Sequence, residues 1–176
     1  MSSEPGQLKR AMPGPLAEYL AEDHRRLDAL FESATADPDH IDRAAYEQFR
    51  AGLLRHIGME EKILLPAVQR LNGGTPLSMA AKLRLDHGAL ASLLMPTPTA
   101  AIIKTIHGLL SGHNAVEEGP GGLYEVCDGL ARMEAEPLLA KLRAAPEVAV
   151  MPHNDSEAVM NTVRRTLERA GYAASL

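Results

Sequence analysis

The chain has 176 residues, 23 acidic and 18 basic side chains, and a net charge of −5. That length suits one domain with a sizeable core, and the mild acidity gives no hint of the clustered basic surface a nucleic-acid partner would need. Tryptophan is absent and aromatics make up 3% of the chain, so the core must be aliphatic, which favours helices over a sheet.

Residues 1–14 are polar and rich in Pro and Gly and are expected to form a flexible arm. A first helix is predicted from Pro15 to about Ala34, with Pro at a favourable first position and an apolar seam of Leu16, Leu20, His24, Leu27 and Phe31. The stretch TADPDHID predicts a turn with Asp39 or Asp42 as N-cap. A second helix follows to about Leu71, with seam Tyr46, Phe49, Leu53, His56, Glu60, Ile63 and Ala67, locally disrupted by Pro66. The third runs from about Leu77 to Met95 along Ala80, Leu83, His87, Leu90 and Leu94. The fourth starts near Thr99 along Ile102, Ile106, Leu109, His113, Val116 and Glu117, and GPGG at 119–122 ends it. A helical segment from Leu123 to Ala144, disturbed at Pro137, completes a unit spanning 15–145. Residues 146–176 form a linker and an amphipathic helix carrying Val159, Val163 and Leu167. Short connections predict an all-α, antiparallel up-down four-helix bundle with an extra C-terminal helix.

The chemistry lies in two repeated patterns. DHxxLxxL occurs around His24 and His87, and HxxxEE begins at His56 and at His113. Positions i and i+4 share a helix face, so His56 with Glu60, and His113 with Glu117, each point an imidazole and a carboxylate the same way. The chain thus reads as a duplicated helical hairpin whose approximate two-fold symmetry brings two half-sites together. All six residues fall on apolar seams, where an ionised glutamate without partners is costly. One such pair would be weak evidence, because a lone seam histidine is more often a hydrogen-bonded core residue. Two pairs, two further histidines and the repetition predict a two-metal site of His24, His56, Glu60, His87, His113 and Glu117, suited to iron, manganese or zinc.

These residues resemble the hemerythrin-like family of HHE cation-binding proteins, in its branch with four histidines and two glutamates. The resemblance spans residues 15–145 and includes the EEKILLP continuation after His56. It implies a non-haem, oxo- or hydroxo-bridged centre of two iron ions, with Glu60 and Glu117 as bridges and two histidines as terminal ligands on each iron; zinc or manganese are alternative metals. Oxygen-carrying members have a further histidine four residues along the third helix, where this chain has Leu83 and Ala91. The implied open position would take water, dioxygen, peroxide or nitric oxide. GPGG places Glu117 in the last turn of its helix, where fraying is easiest, which would make its bridge mobile or open a path for a small ligand. Ferritin-like di-iron bundles use Glu-x-x-His motifs, and this chain has none.

Secondary candidates are weaker. Asp23 and Asp86 cannot readily reach the neighbouring histidine ring; each either serves a ligand on another helix or is an ordinary solvated or capping residue, the reading preferred. Glu61 and Glu118 are expected to face outward, His40 and His153 to lie at the surface, and His107 to stand one step off the seam. Cys127 is expected to be an inert, partly buried thiol, and as the only cysteine it excludes an intrachain disulfide. Tyr19, Tyr46 and Tyr124 are possible hydrogen-bond donors near the site, and nothing in the sequence selects one.

Functionally, the expectation is a protein that binds dioxygen or nitric oxide, or handles iron, in sensing, storage or stress defence. The alternative is an enzyme whose metals reduce peroxide or nitric oxide or oxidise Fe(II), and a third reading is a structural zinc bundle. A sensor of this kind needs a redox or signalling partner; spacing does not determine the oligomeric state. MSSEPGQLKRAMPGP lacks the apolar core of a secretory signal, and no apolar run approaches the roughly 20 residues that cross a bilayer. The expectation is therefore a cytoplasmic protein that does not enter a membrane.

Overall fold

The structure is a computed structural model and describes residues 12–37, 39–174 and 176. Residues 1–11 of the expected arm lie outside the described residues. α1 (Pro15–Ala34) begins with Pro15. The next two backbone N–H groups, of Leu16 and Ala17, donate at 3.0 Å to the two oxygens of Asp128, so the first turn is capped by a carboxylate from a distant helix. α2 (Arg43–Met59) is capped by Asp42, which accepts from Ala44 and Ala45. It continues through a π-helical turn (Glu60–Leu64) into α3 (Leu65–Leu71). This is the local disruption that Pro66 predicts: in place of a sharp kink, the Leu65 N–H reaches five residues back to the Glu60 carbonyl.

α4 (Ala80–Leu93) and α5 (Ala100–Glu118) follow, α5 capped by the Thr99 hydroxyl. The segment expected at 123–144 is two helices, α6 (Leu123–Leu130) and α7 (Ala135–Arg143). The break falls at 131–134 and not at Pro137. Pro137 lies in the first turn of α7, where its missing N–H would have had no intrahelical acceptor. α8 (Glu157–Ala170) buries Val159, Val163, Leu167 and Ala170 against α4. No β-strand occurs among the described residues, and no helix there is long and apolar enough to cross a membrane.

The core divides into two apolar clusters. One contains Leu27, Leu53, Leu90 and Leu109; the other contains Leu20, Leu64, Leu83 and Leu123. Following each helix from its N-terminus, α1 passes from the second cluster to the first, α2 from the first to the second, α4 from the second to the first, and α5 from the first towards the second. This alternation is the up-down topology of an antiparallel bundle. On all four rods the crossing between clusters is made at His24, His56 with Glu60, His87, and His113 with Glu117. The fold therefore holds a polar layer between two dry ones, and α6 and α7 close the end nearer the second cluster.

Candidate metal centre

The six residues selected by spacing meet in this layer. Glu60 and Glu117 are fully buried, and the four histidines are at most 4% exposed. They form two groups of four: His24, His56, Glu60 and Glu117, and then His87, His113, Glu60 and Glu117. Within each group the donor atoms lie within 4.8 Å of one another. The two glutamates belong to both groups and turn one oxygen to each side. Glu60 Oε1 lies 3.4 Å from His56 Nε2 and its Oε2 lies 3.0 Å from His87 Nε2. Glu117 Oε2 lies 3.3 Å from His24 Nε2 and its Oε1 lies 3.0 Å from His113 Nε2. A bridging carboxylate requires this disposition.

The glutamate helix end is closed by the Gly119 N–H, which donates to the Ala115 carbonyl at 3.1 Å. Glu117 occupies the last turn of α5, as expected, but the chain reverses through 119–122 and lays α6 across it. Glu117 is fully buried in this arrangement.

The donor set fits a metal. Glu60 Oε2, Glu117 Oε1 and His87 Nε2 are buried and have no hydrogen-bond partner among the described residues, although the contacts between them are as short as 3.0 Å. Unpaired buried polar atoms are costly, and these three converge with imidazole on one volume. Carboxylate oxygen and imidazole nitrogen are the donors that iron, manganese and zinc accept.

Electrostatics give the same answer. Burial works against charging the imidazoles, yet the surrounding carboxylates prevail. His56 is held up at about 9, with the Glu60 charge and the Asp23 bond outweighing burial. His87 is held up at about 11 by contacts with Glu117, Glu60 and Glu61, and His24 and His113 are raised as well. For Glu60, burial and the Glu117 charge push upward, but the histidines bring it below the ordinary carboxylate range; Glu117 lies well below it, with His113 and His24 overcoming burial. Without metal the layer gathers protons to balance its carboxylates.

Each histidine has a carboxylate on the opposite ring nitrogen. His56 Nδ1 lies 2.8 Å from Asp23, His87 Nδ1 2.6 Å from Glu61, and His24 Nδ1 2.5 Å from Glu118. Asp86 stands 3.6 Å from His113 Nδ1, at ion-pair and not hydrogen-bond distance. This corrects two expectations. Asp23 and Asp86 are buried, not solvated, and each faces a ligand on another helix. Glu61 and Glu118 keep partial exposure but turn their carboxylates inward. The signal was present: these four acids sit inside DHxxLxxL and HxxxEE, so the duplication repeats them with the histidines.

Tyr124, the second residue of α6, is selected among the tyrosines. Its hydroxyl lies 2.8 Å from Glu60 Oε1 and 3.2 Å from Glu117 Oε2, and burial with both glutamate charges pushes the phenol well above its ordinary value. Tyr19 instead approaches Met59 Sδ at 3.9 Å, and the Tyr46 hydroxyl has no partner among the described residues. Tyr124 lies outside both repeats, so no sequence pattern marked it. Beside His24, His56 and His113 a cavity of about 10 Å³, lined also by Leu27, Leu53, Ile57 and Leu110, extends to exposed Asp28. That volume is at the lower limit for a single water molecule.

The remaining candidates stand apart. His40 and His107 are exposed. His153 is half-buried, not fully at the surface, with Nε2 2.9 Å from Glu47. Cys127 is fully buried, and burial with the Glu60 charge raises its thiol, keeping it protonated.

The family model described as hemerythrin HHE cation binding domain matches residues 16–120. Comparison with curated proteins and with solved structures finds no match.

Proposed function

The chain belongs to the hemerythrin HHE cation-binding domain family, and from that premise we propose that it holds two non-haem iron ions and binds a small diatomic ligand, dioxygen or nitric oxide, in sensing, storage or stress defence. The observation that supports this most is the pair of four-donor groups joined through the separate oxygens of Glu60 and Glu117. A lone structural ion needs one closed set of four ligands; two sets sharing their carboxylates suit a metal pair.

His24 and His56 would hold one ion, His87 and His113 the other, and Glu60 and Glu117 would bridge them. Iron held there supplies exchange between Fe(II) and Fe(III) and a coordination position for the small ligand. The protein's own contribution is orientation and dryness. Carboxylates on Nδ1 keep that proton in place and leave Nε2 directed at the site. Leu27, Leu53, Ile57 and Leu110 give the adjoining cavity an apolar wall, through which a small uncharged molecule passes at lower cost than an ion.

The test is metal content with an optical spectrum, on protein purified without a chelating tag. About two irons per chain are expected, with near-ultraviolet oxo-to-iron absorption that Glu60→Ala abolishes, and with a reversible adduct on exposure to nitric oxide or dioxygen. Zinc or no metal, with failed reconstitution by anaerobic Fe(II), would overturn the reading. Rapid multiple turnover of peroxide or nitric oxide would move it to an enzyme.

A further inference from the structure

The two halves of the centre are built from matching residues except at one place. Tyr124 puts its Oη into the first half alone. It lies 2.8 Å from Glu60 Oε1, 3.0 Å from His24 Nε2, 3.2 Å from His56 Nε2 and 3.2 Å from Glu117 Oε2. A phenol donates one proton and accepts through its oxygen, so hydrogen bonding accounts for Glu60 Oε1 and for protonated imidazoles at His24 and His56, but it leaves the 3.2 Å approach to Glu117 Oε2 without a proton.

Coordination accounts for all four. Metal–ligand bonds of about 2.1 Å at right angles put neighbouring donors about 3.0 Å apart. Tyr124 Oη keeps nearly that spacing from every donor of its half, and two edges among those donors are similar: His24 Nε2 to Glu117 Oε2 at 3.3 Å and His56 Nε2 to Glu60 Oε1 at 3.4 Å. An atom that neighbours four others in this way stands at the apex of a pyramid over them. The second half has no counterpart. There Glu60 Oε2, Glu117 Oε1 and His87 Nε2 are unpartnered among the described residues, and the residues four away from His87 are Leu83 and Ala91.

The placement of Tyr124 is built into the fold. Its ring is buried in the second cluster. α6 is held against α5 by Gly122, where a Cβ would meet the Glu117 carbonyl oxygen at 2.6 Å, and against α1 by the Asp128 cap.

Resting on the di-iron reading, we propose that Tyr124 is a fifth protein ligand of the metal position served by His24 and His56, so that the two positions differ: two nitrogens and three oxygens on that side, two nitrogens and two oxygens on the side of His87 and His113. Coordination breaks the O–H bond heterolytically. The electron pair stays on Oη as the donor pair, the proton passes to solvent, and no electron is transferred. A bound cation reverses the local preference for the neutral phenol, as it does for coordinating thiols.

The experiment is visible absorption and resonance Raman on the oxidised, iron-loaded full chain. A phenolate-to-Fe(III) charge-transfer band is expected, with enhanced tyrosinate ring modes that shift when tyrosine is ring-deuterated. Tyr124→Phe should lose both while keeping about two irons and the helical circular dichroism spectrum; Tyr19→Phe should keep both. Survival of the ring modes in Tyr124→Phe would overturn the assignment. Iron bound without tyrosinate modes in the unaltered protein would overturn it alone, whether or not the variant folds. Failure to hold iron at all would overturn the di-iron reading and this assignment together.

Discussion

An imidazole with a carboxylate on Nδ1 is restricted to the tautomer that leaves Nε2 free for a metal, and its ring cannot turn away. Asp23 does this for His56 at 2.8 Å while also bonding Arg26 at 2.8 Å, so it is itself anchored. Asp23→Ala is therefore expected to weaken metal binding about 10- to 100-fold, although Asp23 touches no metal position. Glu32→Ala, an exposed change on the same helix, should leave affinity unchanged. Competition against a chelator of known affinity measures both, and equal affinities in the two variants would remove this role from Asp23.

A departure from a regular α-helix lies at each bridge. The π-helical turn starts at Glu60 and contains Glu61. Within it Glu60 enters the site directly and Glu61 through His87, the roles that Glu117 and Glu118 take on α5. At the other bridge, α5 ends at Glu118 and the chain reverses tightly: Gly121 has φ +69°, and the Gly122 N–H donates to the Gly119 carbonyl at 2.8 Å. A Cβ at Gly122 would stand 2.6 Å from the Glu117 carbonyl oxygen and 2.7 Å from those of Val116 and Gly119. Gly122→Ala should thus lower stability by about 1–3 kcal/mol, as overpacking does, and displace α6 with Tyr124. Denaturant unfolding gives the first and near-ultraviolet tyrosine circular dichroism the second. An unchanged midpoint would show that the approach is not required.

As a whole, the molecule encloses a charged layer between two apolar clusters, and its stability must depend on what balances that charge. A histidine that binds its proton more tightly folded than unfolded stabilises the fold fully below its unfolded value and loses that contribution as pH rises through its folded value. For His56 the loss runs from 6.5 to about 9, and for His87 from 6.5 to about 11. Metal-free protein should therefore lose stability as pH rises across this span. On the acid side Glu60 and Glu117, both lowered from 4.5, lose their contribution as pH falls below that value. Metal displaces the protons, so its binding strengthens with pH. The gain in melting temperature on adding metal should widen from pH 6.5 towards 9. Thermal unfolding over a pH series, with and without metal, measures it; a constant gap would contradict the proton–metal exchange.

The four rods of the bundle and the six polar positions that meet between the clusters are legible in the sequence, whereas the break at 131–134 is not. Their legibility has a simple cause: the 3.6-residue period places Leu20, His24 and Leu27 on one face regardless of what packs there, and repetition marked the second hairpin as a copy of the first. Its reading of Glu61 and Glu118 failed because periodicity assigns a direction to a Cβ, whereas a carboxylate on a flexible stem can turn back across a helix edge. The preferred reading of Asp23 and Asp86 as solvated or capping residues fails for a related reason, since each faces a histidine on a neighbouring helix and only interhelical packing sets that distance. Tyr124 lay furthest from reach. Its approach to Glu60, 64 residues earlier, follows from a chain reversal at Gly122 that no local period encodes.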